Sequence, residues 1–193
     1  MDRIVLGFLM AVLLPLAAGA QQASHHQEQK PAQPAAQPEA NPVSNAVRKI
    51  MERRAKVMIA AVEAMPADKY GFRPTPEQMT FGHLVIHTAG ANNFLCSSIA
   101  GTAAPADEKL SDADSKEKLV AALRGSFQYC TQALTKVDDS NLGEQVPFFG
   151  GDKNSRAGAM IVLTDANYDH YSMAAMYLRL NGLVPPSAQP KKE

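Results

Sequence analysis

The sequence has no excess of charge of either sign: 19 lysines and arginines balance 19 aspartates and glutamates. Nucleic acid rewards the neutralisation of phosphates, so a neutral chain without a basic stripe is not expected to bind it. A basic amphipathic helix for anionic lipid is missing as well. There is no tryptophan, and only two cysteines occur. No Cys-x-x-Cys pair, no glycine-rich phosphate loop and no supportable Ser–His–Asp pattern is present. These absences remove the common redox, nucleotide and serine-hydrolase signatures.

Long hydrophobic runs are equally scarce. The one that exists, Ile4 to Ala18, follows Met1-Asp2-Arg3 and closes on Ala18-Gly19-Ala20. Small residues after a short apolar run are what a signal peptidase needs, so residues 1–20 read as a secretory signal cut after Ala20. The run is too short for a comfortable membrane span, and an uncleaved anchor is the alternative. No cysteine lies at the cut, so a lipoprotein anchor is not indicated. The mature chain is therefore expected in the periplasm or outside the cell, without membrane contact once the signal is removed. Residues 21–42 are rich in Gln, Ala and Pro and have no hydrophobic period, so they read as a disordered leader. His25 and His26 lie inside it and read as solvated side chains.

Residues 43–193 have the length of one domain with one core. Four helical patterns fill it. The first runs from Ser44, a natural N-cap, to Met65, with Val47, Ile50, Met51, Met58, Ala61 and Val62 at helical spacing. Pro66 ends it, and Tyr70-Gly71-Phe72-Arg73-Pro74-Thr75-Pro76 makes a rigid connector. The second runs from Thr80 to Gly101, with His87 at the flank of its apolar side and His83 turned further towards solvent. A polar connector, Thr102 to Asp114, leads to a third helix beginning near Ser115, whose apolar side reaches Val137. Asn141 to Arg156 reads as a loop, and no strand pattern stands out. The fourth helix runs from Arg156 to Leu180. Gly182 can take the left-handed cap, and Pro185-Pro186 forbid continuation. His170 lies central to the stripe that Leu163, Asn167, Ala174 and Leu178 also occupy. A buried histidine there must find a hydrogen-bond partner or bind something.

Cys96 and Cys130 constrain the topology if they are bridged, which an exported chain allows. A bridge needs alpha carbons within roughly 7 Å. In an antiparallel hairpin of helices two and three the cysteines would be mismatched by about 15 Å. In a parallel pair each lies about sixteen residues from its helix start, roughly 24 Å along, and they are level. A disulfide thus favours an all-α bundle with a long crossover between helices two and three. Two buried free thiols are the other reading.

The run Tyr70 to Pro76 followed by Thr80-Phe81-Gly82-His83-Leu84-Val85-Ile86-His87 resembles the second-helix start of the DinB-like (DNA-damage-inducible, YfiT-like) family of metalloenzymes. Asp169-His170-Tyr171, leading into Tyr177-Leu178-Arg179-Leu180-Asn181-Gly182-Leu183-Val184-Pro185-Pro186, resembles that family's C-terminal signature. The resemblance covers nearly all of residues 43–193 and implies a four-helix bundle with an up-down-down-up course. It also implies a three-histidine site for zinc or nickel, with one ligand matching His87 and two from His-x-x-x-His on the fourth helix. The second of these matches His170, and the first falls on Ala166, which cannot ligate. Asn167 and His83 are the candidates for a third ligand. Asn167 is a weak partner for zinc, whereas His83 has ligand spacing with His87 but faces solvent.

Two function classes follow. One is a divalent-metal-dependent hydrolase or thiol transferase with an incomplete site, holding metal weakly or not at all. The other is a metal-free bundle that binds a small molecule or a partner, with His87 and His170 as hydrogen-bonded core residues. A homodimer is compatible with either.

Overall fold

The computed structural model describes residues 38–106 and 108–190. The expected signal segment and most of the expected leader lie outside the described residues. Four helices dominate: α1 (Pro42–Ala64), α2 (Phe81–Ala100), α3 (Lys116–Leu134) and α4 (Arg156–Leu180).

Local chemistry sets most of their ends. The Thr80 hydroxyl accepts from His83 N–H at 3.0 Å, Ser115 from Lys118 N–H at 3.3 Å and Ser155 from Gly158 N–H at 3.0 Å. Each is an N-cap satisfying an orphan donor of the first turn. At the other end of α4, Gly182 sits at φ 74°. Its N–H reaches Arg179 O, and Leu183 N–H reaches Leu178 O, the paired bonds of a Schellman stop.

The start of α1 differs from the sequence expectation. The helix begins at Pro42 rather than Ser44, with Asn41 before it at φ 55°. The acceptor for its first turn comes from far along the chain. The Asp139 carboxylate takes Val43 N–H and Ser44 N–H at 2.8 Å each, and the Ser44 hydroxyl as well. The third helix also stops earlier than its apolar pattern, at Leu134, although Val137 beyond it is buried.

Charged side chains join α1 and α3 at both ends. Arg48 donates to Leu134 O, the last carbonyl of α3, and to Val137 O just beyond it. Lys116 donates to Glu63 O in the last turn of α1 and to Met65 O at its C-cap. Cations thus meet the negative ends of both helices, and the pair must run antiparallel.

Helices α2 and α3 run parallel. Gly82 packs near Leu119 at their starts. Further along, Cys96 and Cys130 are bridged with alpha carbons 5.2 Å apart. The two residues are 34 positions apart in sequence, so loop closure in the unfolded chain contributes on the order of 3 to 4 kcal/mol. Helix α4 returns against α2: Arg156 at its start donates to Ile99 O, and Tyr177 near its end donates to Met79 O at 3.0 Å. The course is up-down-down-up. Phe81, Leu84, Leu95, Leu119, Leu123 and Leu163 are wholly buried between the helices.

The segment expected to be a plain loop contains a hairpin. Strands β1 (Gln145–Pro147) and β2 (Lys153–Ser155) pair antiparallel with Val146 opposite Asn154. Three-residue strands are too short for an alternating pattern to stand out. The turn between them needs Gly150 and Gly151 at φ 69° and 85°. The hairpin is fastened to the end of α2. Ser98 donates to Pro147 O, and buried Arg156 reaches both Ile99 O and the Glu144 carboxylate.

Candidate functional site

The antiparallel return of α4 along α2 brings two distant residues together. His87 is the seventh residue of α2, and His170 lies ten positions before the end of α4. Rising ~1.5 Å per residue from adjacent ends, they reach nearly the same height. Their ring centroids are 4.9 Å apart and meet edge to face at 75°.

The two rings have different surroundings. His170 is buried, 7% exposed, whereas His87 is exposed. Burial pushes the His170 imidazole below its ordinary range, and the neighbouring His87 pushes the same way against a weaker opposing pull from Asp169. The ring is therefore neutral. Its Nδ1 is sealed from solvent and has no hydrogen-bond partner. Nε2 is not among the sealed atoms. A sealed N–H without an acceptor is costlier and rarer than a sealed lone pair, so the proton belongs on Nε2. Neither histidine makes a hydrogen bond to the described residues, so the expectation of hydrogen-bonded core histidines is corrected: His87 is outside the core, and His170 is in it unpartnered.

A pocket of about 670 Å³ opens beside the pair. Ile86, His87, Ala91 and Phe94 contribute from α2, Ala166 and His170 from α4, and Phe149 from the hairpin turn. Phe94 and Phe149 stack with centroids 4.7 Å apart. A second cavity of about 580 Å³ lies across Ile86 and Gly90, between α2, α3 and the crossover, and no histidine lines it.

The two candidate third ligands are placed differently. Asn167 is turned into the core: its amide N–H₂ donates to Asn92 Oδ1 at 2.8 Å and to Leu163 O at 3.0 Å. Its own Oδ1 is sealed. Asn92 continues to the Ser126 hydroxyl at 3.2 Å, making a polar rung through α4, α2 and α3. Asn167 therefore does not face the histidines. His83 lines the pocket, but its side chain is 53% exposed and its Nδ1 lies 3.3 Å from Asp112 Oδ1 on the crossover. At Ala166 the pocket wall is a methyl group.

These residues do not fit a three-ligand metal centre. Among the described residues, no group of three or more His, Cys, Asp or Glu side chains is placed to hold a metal ion. The orphaned Nδ1 of His170 bears on the same point. A metal on Nε2 forces the proton to Nδ1, and ligating histidines normally donate that proton to a carboxylate, carbonyl or water. No carboxylate or carbonyl of the described residues is bonded to it. What the site offers instead is a mostly apolar, aromatic-walled pocket with one neutral imidazole donor and one exposed imidazole.

Sequence reasoning missed Phe94 and Phe149 as wall residues. The only hint was the aromatic pair Phe148-Phe149 set directly before Gly150-Gly151.

A family model for the DinB superfamily matches residues 50–174, a span that contains His87, Ala166 and His170. A crystal structure of a DinB-like protein from Bacillus subtilis superposes with a TM-score of 0.61 at 17% identity, covering 76% of this chain and 100% of that one. A DinB-like protein from Bacillus cereus gives a TM-score of 0.61 at 15% identity, covering 74% and 95%. At these identities the structures speak for the fold alone. No curated protein is significantly similar in sequence. With the family model spanning well over half its length, the chain belongs to the DinB superfamily.

Proposed function

We infer that this protein binds a small organic molecule in the pocket between α2, α4 and the hairpin, without a tightly held metal ion. The observation that carries this is the setting of His170: it is buried, and no protein group among the described residues accepts the Nδ1 proton that metal ligation through Nε2 would require. The pocket is lined mainly by apolar and aromatic groups with a few convergent polar atoms, the usual make-up of a small-molecule site. Ring N–H donation from Nε2 of His170 orients the ligand, and His87 at the rim provides the second polar contact. The family assignment supports a bundle that commonly carries metal, and Ala166 is the position at which this chain departs from that use.

A second reading is a divalent-metal-dependent hydrolase or thiol transferase. The observation in its favour is the approach of His87 and His170 to 4.9 Å across the bundle. Two protein ligands fall short of the three that catalytic zinc sites provide. Titration of the full-length protein with zinc and with nickel, followed by calorimetry, separates the two readings. Weak or undetectable heat supports the small-molecule reading, and stoichiometric tight binding overturns it.

We further propose that the protein acts in the periplasm or outside the cell. The apolar segment before Ala20 supports this, and so does the Cys96–Cys130 bridge, because such bridges persist in oxidising compartments. No helix among the described residues is long and apolar enough to cross a membrane.

A further inference from the structure

The chemistry of the pocket lining selects among small molecules. No Asp, Glu, Lys or Arg side chain lines it. A cationic ligand would find no carboxylate, and a phosphate or carboxylate would find no basic partner, so burying either charge would be unfavourable. Two turns along α2 from His87, the lining is aromatic. Phe94 covers one face of Phe149 at an interplanar angle of 29°, and Phe148 meets Phe149 edge-on with centroids 4.9 Å apart. Phe149 is nevertheless 45% exposed. A large apolar ring held at a glycine turn and left half in water gains most from a flat partner on its open face. His170 also lines the pocket, and with its Nδ1 sealed and unpartnered the favoured tautomer carries its proton on Nε2, which bonds to none of the described residues.

We propose that the ligand is a neutral planar aromatic compound carrying one acceptor oxygen, such as an aryl ketone, ester or amide, its ring stacked on Phe149 and its oxygen taken by His170 Nε2–H. This rests on the reading of the pocket as a small-molecule site, and it adds the class of molecule. Aliphatic ligands would meet Ile86, Ala91 and Ala166 but forgo the ring face, and unsubstituted aromatics would leave the His170 donor unpaired.

Three probes separate these terms on the full-length, disulfide-intact protein: 2-acetylnaphthalene, its saturated counterpart 2-acetyldecalin, and 2-ethylnaphthalene, which lacks the oxygen. Affinity is read by titration, and occupancy of the site by the ring resonances of His87 and His170. The expected result is that 2-acetylnaphthalene binds roughly three- to tenfold tighter than either other probe, as one aromatic contact and one hydrogen bond would give. Phe149→Leu, a surface substitution that keeps apolar bulk, should abolish the advantage over 2-acetyldecalin and leave the advantage over 2-ethylnaphthalene. Equal affinity for the acetyl pair in the wild type, or a preference unchanged in Phe149→Leu, overturns the proposed ligand class while leaving the pocket as a binding site. If no probe perturbs the His170 ring, the reading of the pocket itself fails and the ligand class with it.

Discussion

His87 and His170 touch edge to face with ring centroids 4.9 Å apart, yet one ring lies in water and the other in the core. His170 titrates below its ordinary range because burial, and then His87, disfavours its charged form.

The pH dependence follows with a definite sign. A histidine whose folded pKa is depressed takes up its proton more readily in the unfolded chain. Its neutral burial therefore does not oppose folding above about pH 6.5, and it lowers stability progressively as pH falls from there through the folded value. Urea unfolding between pH 8 and pH 5 should show a flat region and then a decline, and His170→Gln should flatten the decline between pH 6.5 and pH 5. An unchanged slope in that variant would mean that other groups carry the effect.

Zinc affinity should respond to Ala166. Replacing Ala166 with His places a second imidazole four residues before His170 on one face of α4. Loss of a mere supporting contact around a bound metal weakens it 10- to 100-fold, so a whole added ligand should raise affinity by roughly 100-fold or more. Calorimetric titration of both proteins measures this. Tight binding by the wild type that vanishes in His83→Ala would instead show that His83 swings away from Asp112 to complete the set.

The disulfide should be quantitative. Thiol titration of denatured, unreduced protein is expected to find no free thiol. Reduction should lower unfolding stability by about 3 to 4 kcal/mol. Two titratable thiols without reductant would contradict the Cys96–Cys130 bridge.

The buried rung of Asn167, Asn92 and Ser126 gives a fourth outcome. Asn92→Leu leaves the Asn167 amide short of its acceptor in a sealed setting and should destabilise by about 1 to 3 kcal/mol. Adding Asn167→Leu removes the stranded group, so the double variant should recover part of that loss. Strictly additive destabilisation in denaturant melts would argue against the rung.

Much of this architecture was legible in the residues because its signals are local. Thr80, Ser115 and Ser155 stand where first turns begin, and Gly182 stands where α4 must stop. The level placement of Cys96 and Cys130 carried the parallel packing of α2 and α3 without any long-range information. Ser44 misled for the opposite reason: its acceptor is Asp139, 95 positions away, and no local pattern announces it. The same applies to Phe149, whose role depends on where a short hairpin lands against α2. His83 was placed towards solvent correctly, but its contact with Asp112 on the crossover could not be read from spacing. Asn167 had the right periodicity for the site and the wrong rotation, because Asn92 offers its amide a nearer partner.

Arg156 serves two structures at once, the first turn of α4 and the seat of the hairpin. Swinging the hairpin outward would pull the exposed Glu144 from the buried guanidinium, and moving the arginine would strip Ile99 O of its donor. The aromatic wall therefore behaves as a fixed jaw rather than a lid. If the pocket takes a small molecule as proposed, exchange would run past the exposed edge at His83 and His87, and association should be fast and insensitive to solvent viscosity beyond simple diffusion.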